Sequence, residues 1–376
     1  MLISGVRVDL FMPDKIQPSL TINPQCTIHK IPVLFKSHIL RFIVFNILLI
    51  INFLFEITKN AKPDMIYARQ IYSGIIPILF SRIFRISYFS EINNIIPRSK
   101  LKTYYLKTKI KIVLERLSLK LANFIITPSL TLKNGIVERY GFAPDKIHVV
   151  PNGVNEKIFY PSFKKCCLCE NFGIKNNDFI VGFVGSMAKW QGLNILKNAI
   201  IKALDSNNKI KFLLVGDYVE DSNHDKMKAG SGDAAENILS FIKDHSLEGR
   251  VIYHGFVNYE ATADFMNICD VLLAPYTSEC HEFGGGSPMK LYAYFGCGKP
   301  VIISDLGEFT DSISLKKRGA AYLIPPDDSD ALAKAILYFK KNKTAVKKYG
   351  ERGRTFVLNE RKWSDSCSKI LSILHQ

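Results

Sequence analysis

The sequence predicts an α/β protein built from two doubly wound domains with parallel sheets. Short apolar runs alternate with helical stretches along nearly the whole chain, the pattern of strand-helix-strand units. Four of the later runs lead into glycine. Composition also changes near residue 150. Residues 1–150 carry 21 Lys and Arg against 8 Asp and Glu, and only four of the 23 glycines. The remainder is close to neutral, so the net charge of +16 sits mostly in the first part.

In the first part, residues 6–12 and 27–34 read as strands. Residues 35–57 read as a helix apolar on most faces. Residues 63–69 form a loop into a strand, 72–84 a helix and 86–91 a further strand. The most basic stretch is 98–120, whose only acid is Glu115. Leu106, Ile110, Val113, Leu114 and Leu117 fall on one helical face there. Such a helix either packs on the sheet with a solvated outer face or also meets anionic lipid headgroups; the second reading is favoured. Residues 123–127 continue the sheet. A helix over 130–140 is closed by Gly141, and 147–150 leads into Pro151-Asn152-Gly153, a sharp turn that places the domain boundary.

The second part repeats the rhythm. Residues 179–185 form a buried strand ending on Gly185, followed by a loop to Gly192 and a helix from Leu193. Strands follow at 211–217, 251–257 and 270–275. Gly185, Gly216, Gly255 and the triple glycine 284–286 stand at or after strand ends, where doubly wound sheets bind ligands. Ser287 and Pro288 are an N-cap and first-turn pair for a helix over 289–297, which Gly298 and Pro300 end. Residues 300–304 make another strand. A glycine loop opening onto a helix N-terminus suits phosphate, because free N–H groups and the helix dipole point at it. Lys290 adds a full positive charge in the first turn. Helices over 329–341 and 363–374 finish the chain.

Composition narrows the classes further. Hydrophobic content of 47% and charged content of 22% are those of a globular protein. The eight cysteines form one cluster, Cys166, Cys167 and Cys169, without a second pair at zinc-site spacing, so reduced thiols are expected rather than a metal site or disulfides. The longest apolar run, 42–55, contains two asparagines and suits a core or interfacial helix better than a span. No secretory leader pattern is visible at residue 1. No nucleic-acid-binding pattern accompanies the basic stretch. His29 reads as a strand residue.

Several motifs carry a family resemblance. Pro151-Asn152-Gly153-Val154-Asn155 with Phe159-Tyr160-Pro161 resembles the interdomain signature of family 4 of the retaining glycosyltransferases (glycosyl transferases group 1). Residues 183–192 resemble that family's first donor-domain loop. Residues 287–301 resemble its nucleotide-sugar segment in the variant form Ser-Pro-x-Lys. Residues 63–69 and 89–91 match in the first half. The resemblance spans nearly the whole chain.

It implies the B-type fold of two Rossmann-like domains. These would be an acceptor- and membrane-facing domain over 1–150, a nucleotide-sugar donor domain over 151–350, and a final helix within 351–376 packing back toward the first. It implies transfer of a hexosyl-type group from a nucleotide-diphosphate sugar, with retention, to a glycan or polyprenyl-linked acceptor in surface polysaccharide biosynthesis. No metal or other cofactor is implied, because basic side chains and helix dipoles neutralise the leaving diphosphate. Donor-binding positions carried over are Gly185, Ser186, Lys189, Gly216, Val257, Gly284, Gly285, Gly286, Ser287 and Lys290. Glu91 and Glu282 are the catalytic candidates. A cytoplasmic location on the inner face of the membrane, through residues 98–120, completes the expectation. The chain departs from the pattern where Gly285 and Ala293 replace a Glu pair, and where the first domain shows no initial strand and glycine loop before residue 6. The alternative these departures allow is a degenerate or truncated, non-catalytic binding protein.

Overall fold

A computed structural model describes residues 6–13, 26–32, 38–59, 62–69, 75–95, 105–162, 166–206, 209–217, 233–283, 286–307 and 311–375. The chain divides into two compact units. The first takes residues up to Pro151, the short segment 282–286 and residues from Ser364 onward; the second takes Asn152–His281 and Ser287–Trp363.

In chain order the first unit holds β1 (Val8–Pro13), β2 (Cys26–Ile31), α1 (His38–Lys59), β3 (Met65–Arg69), α2 (Ile75–Phe84), β4 (Ser87–Glu91), α3 (Tyr105–Leu121), β5 (Phe124–Thr127), α4 (Leu130–Tyr140) and β6 (Ile147–Val149). β3, β4, β5 and β6 form a parallel sheet in that order, and β1 pairs with β2 in a separate parallel sheet. Ser129 caps α4 through the Leu132 N–H, and Gly141 closes it in the left-handed conformation, as its sequence implied. One core gathers Ala68, Ile78, Tyr88, Leu119, Ile125, Leu132 and Ile136.

The basic helix turns differently from the periodicity reading. In α3 the buried side chains include Glu115, Ser118 and Leu119, while Val113 and Leu117 face outward. Leu106, Ile110 and Leu114 lie outside the described side chains. The reason is polar: Glu115 accepts a hydrogen bond from the Tyr140 hydroxyl of α4, which satisfies a carboxylate that apolar patterning assigns to solvent.

The second unit continues with α5 (Cys166–Asn171), β7 (Phe179–Val184), α6 (Leu193–Ser206), β8 (Ile210–Val215), α7 (Asp233–Asp244), β9 (Val251–Gly255), α8 (Thr262–Ile268), β10 (Val271–Ala274), α9 (Met289–Gly296), β11 (Val301–Ser304), α10 (Ser312–Arg318), β12 (Tyr322–Ile324), α11 (Ser329–Lys341) and α12 (Lys343–Glu360). The last helix, α13 (Trp363–Leu374), packs Ile370, Ile373 and Leu374 on Phe89, Ile126 and Val150 of the first unit, to which all but its first residue belongs. The second unit's sheet is all parallel, in the order β12-β11-β10-β7-β8-β9. This is the doubly wound order in which connections leave the middle in opposite directions, and the switch falls between β7 and β10. The observed folds are the two Rossmann-like domains expected.

Candidate functional site

Side chains converge at the carboxyl ends of β7 and β10, the switch point where a crevice opens in such sheets. Gly185 follows β7 directly, Gly216 follows β8, and Gly255 ends β9. Their N–H groups tie the ends together: Gly185 N–H donates to the Val215 carbonyl at 2.9 Å, and Gly216 N–H to the Gly255 carbonyl at 2.7 Å. Gly216 has φ +126°, and a Cβ there would stand 2.0 Å from the Gly185 carbonyl oxygen. No other residue fits.

Lys290 enters from the first turn of α9. A Cβ on Gly185 would lie 3.2 Å from its Cδ, so the absence of a side chain there leaves room for the lysine stem. Its Nζ lies 4.2 Å from the Phe183 ring centroid and 4.7 Å from that of Tyr276, and it donates to Gln191 Oε1. Among the described residues no carboxylate forms an ion pair with it. Aromatic faces and an amide attract a cation but replace its hydration incompletely. Burial accordingly pulls the Lys290 ammonium down to about 7, against the opposing influence of Cys280.

The loop behind this lysine is fixed by contacts absent from local sequence. Trp190 stacks parallel on Tyr276, with centroids 6.0 Å apart. Its carbonyl accepts from Thr277 N–H at 3.1 Å and from Cys280 Sγ at 3.3 Å. Gly192 has φ +80°, and a Cβ there would fall 1.7 Å from the Pro275 carbonyl oxygen. The loop after β7 and the segment after β10 therefore interlock.

The structure brings Gly185, Gly216 and Lys290 together. Ser186 and Lys189 are exposed on the loop after β7, and Val257 is half-buried against the core beyond β9. Gly286 is half-buried, while Gly284 and Gly285 lie outside the described residues. Ser287 does not cap α9 as its sequence suggested. Its hydroxyl accepts from Asn152 N–H at 3.0 Å and sits 3.1 Å from the Tyr292 hydroxyl, while its carbonyl accepts from Asn152 Nδ2. A long-range partner thus takes the oxygen that a local cap would use. Position 293, where the family usually has a carboxylate, is a buried alanine. Gln191, Phe183, Tyr276 and Trp190 were not singled out by sequence; a Trp-Gln pair before a helix start was the available signal.

Of the two carboxylate candidates, the Glu282 side chain lies outside the described residues. Glu91 ends β4 in the first unit, where Asn93 Nδ2 donates to it at 2.7 Å and Arg69 Nε lies 3.5 Å away. Tyr67 also bonds it, and burial with the Glu91 charge holds that phenol above its ordinary value. Elsewhere in this unit Asp9, His29 and Glu56 bring ligand-type atoms within 4.8 Å of one another. The Arg7 guanidinium spans both carboxylates, at 3.4 and 3.6 Å, so a side chain already supplies the cation.

Residues 169–356 match the family of glycosyl transferases group 1, and residues 3–157 match glycosyltransferase family 4. The chain belongs to the glycosyl transferases group 1 family. An uncharacterised glycosyltransferase of Methanocaldococcus jannaschii is 24% identical over 281 residues, 74% of this chain and 64% of that protein. A UDP-Gal:α-D-GlcNAc-diphosphoundecaprenol α-1,3-galactosyltransferase of Escherichia coli is 25% identical over 52% of this chain and 45% of its own length. The chain spans 45–64% of the length of the first curated relatives it matches. In fold it is similar to sucrose-phosphate synthase from Thermosynechococcus elongatus, with TM-score 0.73 and 18% identity, covering 99% of this chain and 89% of that one. The Anabaena HepE protein in complex with UDP-glucose gives TM-score 0.69 at 18% identity, over 93% and 85% of the two chains. These likenesses show a B-type glycosyltransferase fold.

Proposed function

We propose that this glycosyltransferase moves a hexosyl group from a nucleotide-diphosphate sugar to a glycan or lipid-linked glycan acceptor, with retention and without a metal. The observation that carries the reading is Lys290, a cation held between aromatic rings beside Gly185 at the switch point of the sheet. When the bond from the anomeric carbon to the diphosphate breaks, negative charge grows on the leaving oxygens. An ammonium released from aromatic faces to phosphate gains a full counter-charge, so it stabilises that state more than the free enzyme. N–H groups at the start of α9 and at Ser186 add aligned dipoles. Gly284, Gly285, Gly286 and Ser287 lie along the sugar and its phosphates, Lys189 flanks them, and Val257 touches the base through its backbone. The acceptor hydroxyl takes the leaving group's place on the same face of the sugar and passes its proton to the departing diphosphate oxygen; Glu91 and Glu282 are the carboxylate candidates in this reading.

The relative whose name gives a diphosphoundecaprenol acceptor supports a lipid-linked substrate; surface polysaccharide synthesis on the cytoplasmic face of a membrane is the role we assign to it. The basic stretch 98–120 is the surface for anionic headgroups in this reading. Calorimetric titration with UDP and GDP, without added metal, tests the donor site. Tight binding of one nucleotide is expected, and binding of neither overturns the proposal. Lys290→Ala should weaken the diphosphate about 10- to 150-fold while leaving the matching nucleoside nearly unaffected, the range of a charge-assisted hydrogen bond.

A further inference from the structure

Gln191 ends a one-turn helix over Lys189–Gln191, and its side chain is drawn inward, with the residue 5% exposed. Its backbone has little freedom. Gly192 beside it turns tightly against the Pro275 carbonyl, and the Trp190 carbonyl before it accepts from Thr277 N–H and Cys280 Sγ. A buried amide costs free energy unless its oxygen finds a donor. Among the described residues the Gln191 side chain makes one hydrogen bond, and it comes from Lys290 Nζ. The relation is mutual, since Gln191 Oε1 is the one hydrogen-bond acceptor of that ammonium among the described residues. An ammonium only donates, so the amide turns its oxygen to Lys290 and its NH2 away.

Nothing else near the lysine can take this part. Its stem runs past Gly185, and the Phe183 and Tyr276 rings flank Nζ. Of the groups that titrate, Tyr276 and Cys280 lie beside it, both from the segment after β10. Burial holds the Tyr276 phenol well above its ordinary value and pushes the Cys280 thiol up to about 12, so both are neutral near pH 7. Glu279 and Asp327 act on Cys280 and not on Lys290. The ammonium, pulled down to about 7 by burial, is therefore held by one neutral amide. A neutral acceptor can be exchanged: a diphosphate oxygen offers the same hydrogen bond with a full counter-charge. A carboxylate at position 191 would instead lock the ammonium in an ion pair. A side chain without an acceptor would let its proton go.

We propose that Gln191 is a positioning residue of the donor site. Its amide oxygen aims the Lys290 ammonium into the crevice and yields it to the diphosphate when the nucleotide sugar binds. The inference deepens the reading of Lys290 as the diphosphate contact and rests on it.

Two opposite variants of the full chain test it, Gln191→Leu and Gln191→Glu. NMR of protein carrying isotope-labelled lysine reads the Lys290 titration, its signal assigned by its loss in Lys290→Met. Against a wild-type midpoint near 7, Gln191→Leu should lower the midpoint by about one unit or more, and Gln191→Glu should raise it by about as much. Damage to the fold would move both variants the same way; opposite shifts require the hydrogen bond. Calorimetric titration with UDP and with GDP then follows at about pH 6 and pH 8. At the higher pH, Gln191→Leu should bind the accepted nucleotide about tenfold more weakly than wild type, because a midpoint one unit lower leaves a tenth as much ammonium. At the lower pH its loss should shrink to about twofold. Gln191→Glu should bind about tenfold more weakly at the lower pH, where both chains are charged and the new carboxylate competes with phosphate. The inference is overturned if the two midpoints stay where wild type has its own, if they move the same way, or if they move apart without these changes in affinity. A wild-type chain that binds neither nucleotide strikes the donor reading instead, and the midpoints in the nucleotide-free protein still decide whether Gln191 holds Lys290.

Discussion

All six residues of β7 and all four of β10 and of β11 are buried, whereas β2 and β3 each bury one residue and expose two. The second unit wraps its central strands on both faces, which makes their carboxyl ends a rigid frame. The Lys290 cage needs such a frame, since its parts come from β7, the loop after it, the segment after β10 and α9. The first unit leaves aliphatic side chains outside its helices and gathers positive charge there. One region fixes a single cation among aromatic side chains, and the other leaves apolar side chains and positive charge on its surface.

The comparison breaks most sharply under a glycine substitution. In the second unit Gly192→Ala would drive a methyl into the Pro275 carbonyl, at a backbone angle that also disfavours alanine. The expected loss is roughly 3 kcal/mol or more, because both chain segments are held by the Trp190 carbonyl and cannot part freely. Urea unfolding followed by tryptophan fluorescence measures it. Gly141→Ala in the first unit shares the left-handed angle, but nothing lies within 4 Å of the added methyl. Only the conformational cost remains, about 1–2 kcal/mol. Equal losses at the two positions would deny the difference in packing.

Between these lies Lys290→Met. A lysine whose folded value falls to about 7 binds fewer protons than the unfolded chain between roughly pH 7 and 10.4. Stability from this group therefore rises with pH across that window, and below it the full penalty of burying a cation remains. Removing the charge should raise the unfolding midpoint at neutral pH while abolishing tight diphosphate binding. Wild-type binding should take up a proton and weaken as pH rises above 7. Titration in two buffers of different ionisation enthalpy, compared between wild type and Lys290→Met, reads this directly. A variant that is less stable and binds equally well would sink the assignment.

Sequence made the frame legible because strands β3 to β11 are short apolar runs closed by glycine, proline or helix caps. It did not show β12, a three-residue strand whose only warrant is its neighbour β11. The basic helix was turned the wrong way because Tyr140, 25 residues on, buries Glu115. Ser287 looked like a cap until Asn152, 135 residues earlier, claimed its oxygen. Lys290 stood out by position in a glycine loop. Its aromatic cage did not, since Phe183 is 107 residues away and meets it only once the sheet forms. What was missed in each case is a polar or aromatic partner at long range, which periodicity does not encode.

The smallest expected effect on stability concerns Glu91, and it sharpens the contrast with Lys290. Lys290 has aromatic faces and one amide; Glu91 has Arg69, Asn93 and Tyr67. A carboxylate so compensated can be structural or can be held ready for chemistry, and geometry within one unit is the same for both. Glu91→Gln keeps an acceptor for Asn93 and Tyr67 and loses the ion pair with Arg69, which is itself well exposed. Such pairs contribute under about 1 kcal/mol, so the melting point should barely move. Turnover decides the role. A fall of about 100-fold or more with unchanged nucleotide affinity would place Glu91 in the reaction, the size expected for a group that handles a proton or developing charge. Unchanged turnover would reduce it to the clamp that closes the ends of β3 and β4.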